Sequence, residues 1–185
     1  MTIVEFFNNQ SVGAFLGAFA AFMLVAANDW RRERRKLKTL RAEIEVLLGD
    51  AEAKLETARR MRSMLRNENQ LTTAPVLRFN TTFTRQLSGE VLHLLTRDQR
   101  RAVEALCYTM EAVDALFSEA NETAKAIYAT GDNAERMKMA TTLIDTWKDI
   151  VSNLKRLMDM LQTYLAGRFT DLVERQYNPA DYDEA

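Results

Sequence analysis

The stretch Val12–Arg41, VGAFLGAFAAFMLVAANDWRRERRKLKTLR, governs the reading of the whole chain. Val12 to Ala27 is entirely apolar or glycine, and the 23 residues between Glu5 and Asp29 carry no charge. As a helix rising about 1.5 Å per residue, such a run covers roughly 34 Å, enough for a hydrocarbon layer of ~30 Å. Trp30 follows where an amphipathic indole favours a headgroup layer, and the polar cluster Asn8, Asn9, Gln10, Ser11 marks the other end. Seven Lys or Arg then fall in residues 31–41 against the single acid Glu33.

This pattern predicts a transmembrane helix. A cleaved signal peptide needs a basic leading region, and no Lys or Arg precedes Arg31, although Val25-Ala26-Ala27 has the small residues of a cleavage site. A buried core helix fits poorly with a segment that lacks a polar face and abuts a dense basic cluster. An interfacial helix would need a charged face, which is missing. Basic flanks stay on the cytoplasmic side, so the N-terminus is expected outside and everything after Trp30 inside. Trp30, Arg31, Arg32, Arg34, Arg35, Lys36 and Lys38 are expected to contact lipid headgroups, anionic ones above all. Within the span, Phe15, Phe19 and Phe22 form one stripe, and Gly13, Gly17 and Ala20 lie on the opposite one. Small residues allow close approach of two helix backbones in lipid, so these three are candidate packing positions between spans.

Beyond the span the chain reads as mostly helix. Only six Gly and two Pro occur, and Pro75 and Pro179 both lie outside the periodic segments. Leu37, Leu40, Ile44, Leu47, Ala51, Leu55, Ala58, Met61 and Leu65 recur at spacings of three and four and predict a seam on a helix continuous with the span. That helix is expected to end near Asn67 to Gln70. Residues 69–96 read as an irregular connector, with Asn80 capping a short helix over Thr81 to Ser88, Gly89 stopping it, and a second short turn over Glu90 to Leu95. Thr96-Arg-Asp-Gln99 is a capping box opening a long helix with the seam Val103, Leu106, Met110, Val113, Phe117, Ala120, Ala124 and Ile127. Gly131 is expected to end it, and Asp132-Asn-Ala-Glu135 to start the next.

The last long helix carries Met137, Ala140, Ile144, Trp147, Val151, Leu154, Met158, Leu161, Leu165 and Leu172. A second stripe on it comprises Met139, Leu143, Ile150, Leu157 and Tyr164. Two apolar sides mean burial on two sides, either in the centre of a bundle or between the bundle and a second copy of the chain. The expected fold class is therefore all-α, an N-terminal transmembrane helix continuing into a long-helix bundle or coiled-coil-like cytoplasmic domain. Its parts are residues 1–30 (tail and anchor), 31–68 (basic neck and long helix), 69–96 (connector), 97–175 (antiparallel hairpin) and 176–185 (acidic, disordered tail).

Chemistry-bearing residues are sparse. Glu90-x-x-His93 has the spacing of one half of a di-iron carboxylate site, but the chain holds one histidine, so the residue reads as partly buried and structural. The same scarcity argues against Ser-His-Asp and Cys-His catalysis. The single cysteine, Cys107, excludes an internal disulfide and reads as a small core hydrophobe beside Leu106. There is no glycine-rich phosphate loop, Cys-x-x-Cys pair or nucleotide fingerprint. No catalytic residue, cofactor or metal is expected, and no nucleic-acid partner, since the Arg-rich neck beside a span is better suited to lipid.

The stretch Leu77 to Asn121, LRFNTTFTRQLSGEVLHLLTRDQRRAVEALCYTMEAVDALFSEAN, resembles a segment of uncharacterised bacterial single-span membrane proteins, in which a short helix ends in Ser-Gly before a Leu-rich turn and a long helix. The resemblance implies a bacterial inner-membrane protein with a helical cytoplasmic domain and carries no known activity. A second likeness is to membrane-anchored helical accessory proteins of bacterial antiviral systems, some similar to HEPN ribonuclease-type domains. Those carry a closely spaced Arg and His, whereas Arg85 and His93 are separated here by seven residues, so no ribonuclease activity is implied. The expected function is that of a non-enzymatic, membrane-anchored interaction or assembly protein, homo-oligomeric and with an unidentified protein partner. The rival expectation is an oligomeric effector that opens or disrupts the membrane, of the kind used in phage defence.

Overall fold

A computed structural model describes residues 10–68, 70–75 and 78–174, and among them every regular element is helical. The expected acidic tail and the residues preceding Gln10 lie outside this set. The chain divides into two compact units, Met1–Thr39 and Leu40–Ala185. Helix α1, Gln10–Glu68, is unbroken over 59 residues. Nothing in its sequence interrupts it, because Gly49 costs a helix interior only about 1 kcal/mol and Arg66 suits the last turn.

In the second unit, Leu40, Ile44, Leu47, Ala51, Leu55, Ala58 and Leu65 of α1 are buried, as the seam predicts. Helix α2, Thr81–Glu90, is capped by Asn80, whose side chain accepts from the Phe83 N–H. Gly89 does not stop it. The helix runs on to Glu90 and passes into a 3₁₀ turn, Leu92–Leu94, because Val91 is drawn wholly into the core. Helix α3, Arg97–Ala129, opens with both bonds of the Thr96–Gln99 capping box. All eight of its seam residues are buried. Its end is set by Thr130, which turns to extended backbone, rather than by Gly131.

Helix α4, Asn133–Leu165, starts at Asp132, whose carboxylate accepts from the Ala134 N–H. Contacts between α3 and α4 pair Thr109 with Met160, Phe117 with Trp147 and Thr130 with Met139, so the two run antiparallel. Phe117 and Trp147 meet edge to face at 5.6 Å in the middle of the core. Met137 is not a seam residue but stands 75% exposed on the first turn.

The expected continuation of α4 to Leu172 is wrong. Gly167 takes φ +75°, its N–H bonds the Tyr164 carbonyl, and the Arg168 N–H reaches back to the Thr163 carbonyl. That is a Schellman stop, and glycine alone adopts it without a Cβ penalty. A short helix α5, Phe169–Glu174, then folds back so that Phe169 meets Tyr164 edge to face at 5.0 Å and Leu172 is buried. The second stripe of α4 also has a simpler explanation than a second copy: Leu143, Ile150, Leu157 and Tyr164 are buried within this one chain.

The connector's length has a topological cause. Lys54 of α1 pairs with Asp114 of α3, and Leu71, just past α1, bonds Tyr128, so α1 and α3 run in the same direction. Arg41 near the other end of this unit bonds the Leu165 carbonyl, which makes α1 antiparallel to α4. Two parallel helices in sequence need a return path. Leu71, Ala74 and Phe79, then Arg85 of α2, lie along it, bonding Tyr128, Asn121, Asp114 and Glu111 of α3 in descending order.

Candidate functional site

The apolar part of α1 is the most unusual surface of the chain. Phe15, Leu16, Phe19, Phe22, Met23, Leu24 and Val25 are all exposed, an arrangement that water penalises at about 25 cal/mol per Å². α1 is long and apolar enough to cross a membrane. Added Cβ atoms at Gly13 and Gly17 would meet nothing within 4 Å, and Ala20 is likewise exposed, so all three proposed packing positions present open backbone. Of the polar cluster expected at the outer headgroup layer, Asn8 and Asn9 lie outside the described residues.

At the other end of the apolar run, Trp30 is exposed and the Arg34 guanidinium lies 3.9 Å from its ring centroid, one turn on. Arg31, Arg32, Arg35, Lys36 and Lys38 are all exposed beside it. The i, i+4 spacing places Arg34 over the indole face, where the cation meets the ring's negative quadrupole.

In the helical unit the structure brings together residues that the periodicity does not reveal. Lys54 Nζ lies 3.0 Å from Asp114 Oδ1, both side chains being 12% exposed, and over the rings of Phe79 at 4.3 Å and Phe117 at 5.3 Å. The other carboxylate oxygen of Asp114 accepts from the Phe79 N–H at 2.8 Å. Seven residues on, the Asn121 side chain accepts from the Ala74 N–H at 2.9 Å and donates to the Ala74 carbonyl at 3.0 Å. Seven further, the Tyr128 hydroxyl donates to the Leu71 carbonyl. Asp114, Asn121 and Tyr128 thus form one polar ladder on α3 that satisfies the backbone of an extended strap. In the sequence these three residues show a heptad spacing, which does not by itself reveal what they bond.

Other candidates resolve as follows. His93 is exposed in the 3₁₀ turn rather than partly buried, because Val91 and Leu95 turn inward in its place. Glu90 is the last residue of α2, and His93 lies beyond it in the 3₁₀ turn. Cys107 is fully buried, and burial pushes its thiol up to about 11, against a smaller lowering by Arg85. Such a thiol is inert as a nucleophile at neutral pH. Burial likewise raises the Tyr164 phenol, and burial with the neighbouring Asp50 charge raises Glu43. Among the described residues no group of His, Cys, Asp or Glu is placed to hold a metal ion. Surface grooves of 430 Å³ by Arg78, Glu111 and Asp114 and of 540 Å³ by Arg59 and Arg60 gather charged side chains.

Comparison of the chain with protein-family models, with curated proteins and with solved structures finds no match to any of the three.

Proposed function

We propose that this chain is a membrane-anchored, non-enzymatic interaction and assembly protein of a bacterial inner membrane. The observation that carries the proposal is the exposed apolar segment of α1 ending at Trp30, followed at once by six exposed basic residues on the same helix. The N-terminus lies outside and the helical unit in the cytoplasm, in keeping with the basic flank. That unit is a bundle with coiled-coil-like seams, in which α1 from Leu40, α3 and α4 share one core. Within it, Asp114 and Asn121 are engaged in holding the strap to α3. Spans associate through Gly13, Gly17 and Ala20, and the cytoplasmic surface engages a protein partner.

Deleting residues 1–30 is expected to move the protein from the membrane fraction to the soluble one. A C-terminal alkaline phosphatase fusion is expected to be inactive and a C-terminal green fluorescent protein fusion to fluoresce. An active phosphatase would reverse the orientation, and retention of the truncated protein in membranes would remove the anchor.

A further inference from the structure

The basic neck is sorted by sign around the helix. Arg31, Arg34, Arg35 and Lys38 stand at positions i, i+3, i+4 and i+7 and share one face. The two acids nearest to them, Asp29 and Glu33, are themselves i, i+4 and sit roughly 180° away at about 100° per residue. Arg32 and Lys36 lie on the flank next to those acids. All four residues of the basic face are exposed, and among the described residues none of the four has an ion pair.

A diffuse attraction to a charged bilayer does not require this sorting, because cations anywhere around the helix serve it equally. Four acid-free cations along about 10 Å of one face suit a ligand with more than one negative charge. One of them is also fixed in place. The Arg34 guanidinium carbon lies 3.9 Å from the Trp30 ring centroid, and a guanidinium in such a contact offers a planar fork of N–H donors to a phosphate, which an ammonium does not. Trp30 sits where the apolar run ends, so the ligand meets this face at headgroup depth.

We propose that Arg31, Arg34, Arg35 and Lys38 form a site for a phospholipid with two phosphodiesters, a bis-phosphatidylglycerol, with Arg34 held by Trp30 as the bidentate donor to one phosphate. The proposal rests on the membrane reading above and specifies the lipid class that the neck selects.

Trp30 is itself the reporter, since the other tryptophan, Trp147, is 1% exposed in a protein core and gives a constant background. The full-length protein is reconstituted in phosphatidylcholine vesicles containing acyl-brominated bis-phosphatidylglycerol or acyl-brominated phosphatidylglycerol, matched for bromine and for phosphate. Quenching of Trp30 is expected to report a relative association constant about tenfold higher for the bis-phosphate lipid. Arg34→Lys, which keeps the charge, is expected to lose most of that preference. Arg32→Gln with Lys36→Gln, which removes two charges off the face, is expected to keep it. Equal quenching by the two lipids overturns the site, as does an Arg32/Lys36 variant that loses the preference while Arg34→Lys retains it. If brominated phosphatidylcholine as the bulk lipid fails to quench Trp30, the span itself is misread and the site falls with it.

Discussion

Lys54 and Asp114 form an ion pair at 3.0 Å with both side chains 12% exposed. The carboxylate pairs the ammonium and holds the Phe79 N–H, so one side chain ties α1, the strap and α3 together. Removing it takes the Asp114 carboxylate away from an ammonium whose side chain is 12% exposed. Asp114→Ala is therefore expected to cost about 3 kcal/mol, while Lys54→Met combined with Asp114→Leu stays near neutral. Urea unfolding followed by Trp147 fluorescence checks both, and an Asp114→Ala loss below about 1 kcal/mol would show the pair to be dispensable. Cys107 gives a second residue-level test. Its folded-state thiol titrates near 11 against an ordinary 9.0, so the neutral form is favoured by folding. The contribution is complete below pH 9.0 and is lost as pH rises through the folded value of about 11, since the unfolded chain ionises first. Alkylation at pH 8 is expected to be slow in the native protein and fast in urea, and fast native labelling would mean that the thiol is not held in the core.

Helix ends were the least legible elements, and for a physical reason. Seams depend on spacing, which the sequence displays, and the residues from Val103 to Ile127 chosen by spacing are all buried. Stops depend on which backbone conformation the following residues find room to adopt. Gly89 and Gly131 looked like stops and are not, because Val91 burial and the extended Thr130 end those helices instead. Gly167 fell inside a helix expected to carry on to Leu172 and is the one described glycine at positive φ. Gly167→Ala is expected to destabilise by about 1 kcal/mol, from the left-handed strain alone, since its added Cβ meets nothing within 4 Å. A variant as stable as the parent in thermal melts would show that the turn at Ala166–Arg168 relaxes freely. The strap was legible as a break in periodicity, but its attachment was not. Asp114, Asn121 and Tyr128 are ordinary surface residues by composition, and only the parallel course of α1 and α3 brings the connector back across them.

At the scale of the whole molecule the case for assembly now rests on the span. The second stripe of α4 is buried by this chain's own core, so it calls for no other copy. Gly13 and Gly17 remain, with open space around both. Replacing both with Ile is expected to leave insertion intact, since Ile is at least as apolar, and to hold two spans apart by a side chain. Cross-linking in membranes is expected to lose the oligomer in the double variant, while the protein lacking residues 1–30 runs as a monomer. An unchanged cross-linking pattern would exclude this face as the contact. If the oligomer conducts ions, the same variant should also abolish depolarisation of cells expressing it, which separates a membrane-opening effector from a tethered binding protein.

The hydrogen bond from Arg41 to the Leu165 carbonyl sets the two ends of the helical unit side by side. Tension drawn between residue 40 and residue 166 would therefore load α1 and α4 from one end. It would part them turn by turn, as a zip opens, rather than shearing the whole contact at once. Past the buried Ile44, Leu47 and Ala51, α1 is also held to α3 by the pairing of Lys54 with Asp114. Beyond it, the backbone bonds of the strap resist from Phe79 through Ala74 to Leu71. A unit loaded this way yields first at the Leu40 end of α1 and last at the end near Leu71, where the strap is bonded to α3.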